Sequence, residues 1–308
     1  MTNTAYMTQN IFFALGTVCT LTVYDGNTIK AIKRSKDRVM EIHHRMNAYD
    51  ADSEISAVNA LAGEGYAKVS ADTLRLIEQS MMYSRLTTGL YDITTRPISY
   101  LWKTAIRSKH LPLQYEIDKA AALTDYRDIL IDHENSVVKL QRRGQQIDLG
   151  AIAKGYAADE VRRILKEEGV TRAVVNLGGT VVNLGRNRRI GVQNPFAKTG
   201  TPFAYVDVGE KAVVSSGLYE QGVTIDGKSY HHIIDPKTGY PSNSPLAGIT
   251  LIGDCAEMLD AVSTAAFMME LSDAVRFLEK LGIEAIFVTK DRRIYTTDGI
   301  SESYANAG

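Results

Sequence analysis

The residues best suited to chemistry lie in four short segments of the chain. Asp148-Leu149-Gly150-Ala151-Ile152-Ala153-Lys154 puts an acid, a turn of small residues and a lysine within seven positions. Small side chains let a ligand approach the main chain, and free N–H groups at a helix start favour an anion. Lys154 can lie along a phosphate oxygen as a point charge. The spacing is neither GxGxxG nor GxxxxGK[ST], so the Rossmann and P-loop readings fail; a plain helix start with a solvated lysine is the alternative. Asn176-Leu177-Gly178-Gly179 ends a strand on two glycines, which marks either close passage of a ligand or a tight turn. The stretch His231 to Pro241 holds His232, Asp235 and Thr238 in a loop stiffened by Pro236 and Pro241. His232 can accept a proton near neutral pH, while Asp235 can equally cap its own turn. Asp260 and Thr264 stand four apart on a helix, so carboxylate and hydroxyl share a face. A buried Asp needs a partner, either a hydrogen-bond donor or a cation, and oxygen ligands of this hardness suit Mg²⁺.

These segments need elements to hold them. Residues 12–24 read as a strand closed by Asp25-Gly26. Ile29, Ile32, Val39, Ile42 and Met46 recur at helical spacing over 27–48. Ser70 is a good N-cap for a helix that stops at Gly89. A hairpin is predicted over 129–132 and 137–141, a long helix over 151–168, and a strand over 172–176. Short strand-like pieces fill 181–250, helices return over 256–281, and a strand pair spans 285–297. The elements mix without regular βαβ alternation, so the expected class is α+β with mixed or antiparallel sheets. No low-complexity linker divides residues 1–308, and a single domain of two packed lobes is expected.

Bulk properties exclude several functions. Net charge is −1, so no global basic field draws the chain to nucleic acid or an anionic membrane. Cys19 and Cys255 form no CxxC pair and no disulfide framework, and Cys19 reads as a buried free thiol. No stretch reaches the ~18 apolar residues of a membrane span, and residues 1–13 lack an export signal. The expected location is cytoplasmic.

Taken together and in order, the segments resemble the ApbE family of flavin transferases (FAD:protein FMN transferases). Leu15-Gly16-Thr17 matches that family's Met-Gly-Thr opening, followed by Met46 to Tyr49, Ser53 to Ser56 and Asn59. Gly89 to Thr94 with Pro97 and Trp102 comes next, then Asp148 to Asp159 and Asn176 to Gly179. Ser215 to Gly217 with Tyr219-Glu220, His232 to Pro241 and Asp260 to Thr264 complete the pattern. Departures are Leu15 for Met, Asn47 for Ser, Thr180 for Asp, Ser215 for Thr and Gln221 for Arg.

The resemblance implies an α+β fold with FAD in a cleft between two lobes. Leu15, Leu90, Tyr91, Asp92, Asp148, Lys154, Gly178, Gly179 and the backbone at Ile234 would line the FAD site, with Tyr49 giving an aromatic face. The Ala151 main-chain oxygen, Asp260 and Thr264 would hold Mg²⁺, and His232 would be the general base. The implied partner is an acceptor flavoprotein with a Ser/Thr-Gly-Ala-Thr-like motif, a segment this chain lacks. FAD would be a substrate rather than a redox group. Hydrolysis of FAD to FMN and AMP, or flavin binding without catalysis, are the competing readings.

Overall fold

The computed structural model describes residues 7–26, 28–218, 222–225, 228–300 and 304–306. Tyr219, Glu220 and Gln221, which belong to the resemblance above, lie outside the described residues. The chain begins with β1 (Thr8–Ala14), β2 (Thr17–Val23), α1 (Thr28–Met46), α2 (Glu54–Ala60), β3 (Ala67–Lys68) and α3 (Ala71–Leu86). It continues through α4 (Arg96–Ser108), α5 (Gln114–Ala121), β4 (Ile129–Asp132), β5 (Val137–Leu140) and α6 (Ala153–Glu167). Next come β6 (Ala173–Leu177), β7 (Thr180–Leu184), β8 (Arg188–Gln193), β9 (Pro202–Val208) and β10 (Ala212–Gly217). The remainder is β11 (Gly222–Ile225), β12 (Lys228–His231), β13 (Leu246–Gly253), α7 (Ala256–Met268), α8 (Leu271–Lys280), β14 (Glu284–Thr289), β15 (Ile294–Thr296) and β16 (Tyr304–Asn306).

Two compact units divide these elements: unit 1 takes residues 1–43, 152–217 and 245–308, and unit 2 takes 44–151 and 218–244. Unit 1 is built on an eight-stranded antiparallel sheet of order β1-β2-β6-β7-β10-β13-β14-β15. A three-stranded sheet, β16-β9-β8, belongs to the same unit. All eight residues of β13 are buried, because both faces of this strand are covered. On one side α7 packs on β10 and β13. On the other, Val213, Ile252 and Ile286 meet Ile190, Val192, Val206 and Val208 of the small sheet. Cys19 is fully buried in β2, and burial pushes its thiol up to about 11, as suits an inert core position.

Unit 2 holds α2 to α5, the sheet β3-β5-β4 and the hairpin β11-β12. Ser70 caps α3 by accepting the Thr73 N–H, and Ser53 caps α2 the same way from Ser56. Ile98, Trp102, Ala105, Ile117, Ala120 and Ile234 form its core beneath α4 and α5.

The α+β class with antiparallel sheets stands as expected. The single strand predicted over 12–24 is instead the β1–β2 hairpin. Leu15 (φ 52°) and Gly16 (φ 73°) both take positive φ, the geometry of a two-residue type I′ turn. The helical run 256–281 is broken at Met269, whose extended backbone separates α7 from α8. No helix among the described residues is long and apolar enough to cross a membrane.

Candidate active site

In unit 1 the predicted residues gather along one line of contacts. The β1–β2 turn places Leu15 and Gly16 at its tip, and the Leu15 N–H donates to His43 Nδ1 at 3.3 Å. A second turn, Gly178-Gly179 between β6 and β7, also runs at positive φ. A side chain at Gly178 would come within 2.2 Å of Thr17, so glycine here lets the two turns touch. Gly179 receives the Ser215 N–H on its carbonyl at 3.1 Å. Ser216 Oγ lies 2.9 Å from Ser263 Oγ on α7, and Ser263 Oγ donates to the Asp260 carbonyl. The motifs are therefore joined to the helix that carries Asp260 and Thr264.

Asp260 is only 5% exposed. Its Oδ2 accepts the Gly155 N–H at 2.9 Å, one of the unpaired donors in the first turn of α6. Lys154 Nζ stands 3.6 Å from Oδ1. A Cβ at Gly155 would sit 2.2 Å from the Ala256 carbonyl, so glycine is what brings α6 against α7 at this point. The buried carboxylate thus has a backbone donor and an ammonium as partners. Thr264, partly exposed, follows one turn later on α7.

In unit 2 Asp148 is fixed from several sides. Asn59 clamps the preceding residue, donating to the Ile147 carbonyl at 3.0 Å and accepting its N–H at 2.7 Å. The Asp148 N–H donates to the Ile93 carbonyl, Oδ1 accepts the Gly150 N–H at 2.8 Å, and Oδ2 is 3.5 Å from Arg96 Nη1. Ala151, partly exposed, closes this turn. Tyr49 is 54% exposed, yet its ring has the Arg96 guanidinium 4.3 Å from its centroid and its hydroxyl accepts from Lys103 Nζ at 2.7 Å.

Leu90-Tyr91-Asp92 has a different character. Tyr91 is buried, with its hydroxyl donating to Ser80 at 3.2 Å. Asp92 caps the short turn Ile93–Thr95: Oδ1 accepts from Thr94 N–H and Oγ1, and Oδ2 from the Tyr126 N–H. Burial outweighs those bonds and holds the Asp92 carboxyl above the ordinary carboxylate range. Only Leu90 of the three is partly exposed.

The histidine loop is anchored by Trp102, whose indole N–H donates to the Gly239 carbonyl at 2.7 Å and whose ring stacks on Tyr230. Ile234 bridges to Pro241, and Asp235 and Thr238 turn their side-chain oxygens back to the N–H groups of Lys237 and Tyr240. Asp235 follows the turn-capping alternative, and the structure shows Thr238 capping the same turn. His231 is buried, with Nε2 2.9 Å from the Ser242 carbonyl and Nδ1 accepting the Ile233 N–H. Its neighbour His232 is partly exposed. Unit 1 therefore brings together Leu15, Gly178, Gly179, Lys154, Asp260 and Thr264, and unit 2 carries Tyr49, Leu90, Tyr91, Asp92, Asp148, Ala151, His232 and Ile234.

Arg96 and Lys103 escaped sequence reasoning. Arg96 is the first residue of α4, where the helix dipole disfavours a cation. That breach of a local rule was the available signal.

Known proteins bear on this arrangement. The ApbE family pattern matches residues 15–287. A Klebsiella pneumoniae FAD:protein FMN transferase is 34% identical over 245 residues, covering 79% of this chain and 77% of the relative. A Treponema pallidum protein of the same name is 27% identical over 309 residues, covering 93% and 85%. Among solved structures, the ApbE protein of Thermotoga maritima superposes with a TM-score of 0.87 at 29% identity, covering 96% of this chain and 98% of that one. With the match running from the β1–β2 turn to β14, the chain belongs to the ApbE family.

Proposed function

We propose that this enzyme transfers the FMN half of FAD to a Ser or Thr hydroxyl of an acceptor flavoprotein, with Mg²⁺ bound and AMP released. The observation that carries the reading is Asp260, a buried carboxylate tied to the start of α6 and sharing a helix face with Thr264. It occurs in a chain whose relatives are FAD:protein FMN transferases.

Asp260 and Thr264 offer hard oxygens, and the neighbouring Lys154 ammonium leaves room for few protein ligands, a donor set that fits Mg²⁺ sharing its shell with phosphates. The Ala151 carbonyl is the third proposed ligand. When bound, the ion would neutralise charge on the pyrophosphate. Lys154 supplies a further positive charge, and the Gly178-Gly179 turn presents its main chain to the cofactor. Leu15, Leu90, Asp148 and the Ile234 backbone line the FAD, and Tyr49 presents its ring. Tyr91 and Asp92 shape that wall from within the core, through their main chain. His232 takes the proton from the acceptor hydroxyl as its oxygen bonds to the FMN-side phosphorus. The bond from that phosphorus to the bridging oxygen breaks, and AMP departs carrying the oxygen. One positioned base contributes about 10²–10⁴-fold.

The test is mass spectrometry of a flavoprotein fragment bearing Ser-Gly-Ala-Thr, incubated with the enzyme, FAD and Mg²⁺. A gain of one FMN on the fragment, abolished by EDTA, is the expected result. Free FMN and AMP with an unmodified fragment would make the protein a pyrophosphatase, and unchanged FAD would leave only flavin binding.

A further inference from the structure

We propose that Arg96 is the positioning residue of the flavin site: its guanidinium fixes the Tyr49 ring and the Asp148 carboxylate, and so sets how tightly the flavin ring is stacked. The inference rests on the reading that Tyr49 and Asp148 line the FAD site.

Its ground is a guanidinium that is poorly explained as a stabilising group. The Arg96 side chain is 11% exposed and begins a helix, where the dipole opposes it. Nη2 donates to the Ala48 carbonyl at 2.7 Å, but Nε and Nη1 are buried with no hydrogen-bond partner among the described residues. The approach to Asp148 Oδ2 stops at 3.5 Å, an ion pair that does not close to a hydrogen bond. Burying a charge with unmet donors is costly, and an apolar side chain of similar volume fills such a space more cheaply.

What the arrangement achieves is the fixing of an exposed ring. The Tyr49 N–H is held by Asn47 Oδ1 at 3.0 Å, its hydroxyl by Lys103, and its ring by Arg96 at 4.3 Å with Lys103 further off at 5.0 Å, while more than half of the residue stays exposed. Surface tyrosines ordinarily sample several rotamers and lose that freedom when a ligand stacks on them. A ring held in advance binds a flat aromatic ligand without that loss. The same guanidinium faces the Asp148 carboxylate, so a single cation sets the ring and the acid together.

The test measures FAD and FMN affinity by quenching of flavin fluorescence in wild type, Arg96→Met, Arg96→Lys, Tyr49→Leu and the Tyr49→Leu/Arg96→Met double variant, with ADP as competitor. Arg96→Met is expected to weaken FAD and FMN binding about tenfold and to reduce the quenching of bound flavin. Arg96→Lys, which keeps the charge but not the planar fork, should fall between the two. In the Tyr49→Leu background, Arg96→Met should add a clearly smaller loss, about threefold or less, because most of its effect runs through the ring and only the remainder through Asp148. ADP competition should be unchanged by Arg96→Met. Wild-type affinity and quenching in both Arg96 variants would overturn the inference, as would losses that multiply in the double variant. An unfolded Arg96→Met beside a folded Arg96→Lys with wild-type quenching would also overturn it, by making the residue structural. Failure of the wild type itself to bind FAD or FMN would instead overturn the transferase reading on which the inference stands.

Discussion

Two buried carboxylates, Asp92 in unit 2 and Asp260 in unit 1, show how similar burial serves different ends. Asp92 caps the turn Ile93–Thr95, Asp260 lies inside α7, and both accept backbone N–H groups from the start of a helical segment or from a neighbouring loop. Asp92 uses both oxygens on three donors, two from Thr94 and one from Tyr126, which joins the turn at Ile93–Thr95 to Tyr126. Asp260 takes one backbone donor on Oδ2, while Oδ1 lies 3.6 Å from the Lys154 ammonium. A carboxylate whose two oxygens are both filled by protein N–H and O–H donors is architectural. One that keeps an oxygen beside an ammonium, on a helix face with a hydroxyl, retains capacity for a ligand. His231 is filled in the same way as Asp92, since both of its ring nitrogens serve the main chain of its own loop.

Substitutions can break this division, and the largest effect belongs to the histidines. His232→Ala should slow FMN transfer by about 10²–10⁴-fold with little change in Tm, measured by single-turnover mass spectrometry. His231→Ala should show the reverse order, a lowered Tm from the unmet Ser242 carbonyl and Ile233 N–H before any specific loss of chemistry. Gly155→Ala should destabilise the protein by about 3 kcal/mol or more, because its Cβ meets the backbone of α7 at 2.2 Å. Thermal unfolding with and without FAD checks this. Asp92→Ala should cost about 2–3 kcal/mol by leaving the Thr94 and Tyr126 N–H groups unpaired, read from chemical denaturation.

The smallest effect sharpens the comparison through pH. Asp25 is another filled carboxylate, bonded by the N–H groups of Thr171 and Arg172 and by their side chains. Partial burial is the largest single influence and raises its pKa, but those four bonds together bring it down to about 2. A folded pKa below the unfolded value of 3.8 stabilises the native state above pH 3.8, and the contribution is lost as pH falls through about 2. Asp25→Asn should therefore cost about 1–2 kcal/mol at pH 7 and only about 0.4 kcal/mol at pH 2, checked by denaturation at both values.

Much of this was legible in the sequence, for reasons that can be named. Ser70 and the spacing of Leu74 and Ile77 announced α3, and Asp260 with Thr264 announced a shared helix face. The β1–β2 turn was hidden because leucine rarely takes positive φ, and nothing in Ala-Leu-Gly demands a I′ turn. Periodicity passed over α4, whose start carries Arg96 against the dipole and Pro97 beside it. Nor does adjacency reveal which histidine of a pair points inward; that is settled by the Ser242 carbonyl, contributed from eleven residues further on. The roles of Tyr91 and Asp92 were similarly beyond sequence, since their burial depends on Ser80 and Tyr126.

The division between filled and available carboxylates is tested most directly by Asp260→Asn. The amide oxygen can still accept the Gly155 N–H, so the helix junction keeps its bond while the charge is removed. Single-turnover FMN transfer at saturating Mg²⁺ should fall by at least about 100-fold while the unfolding midpoint stays within about 1 kcal/mol of wild type. Transfer at the wild-type rate, or loss of activity only in step with loss of folding, would contradict the account and make Asp260 a structural residue like Asp92.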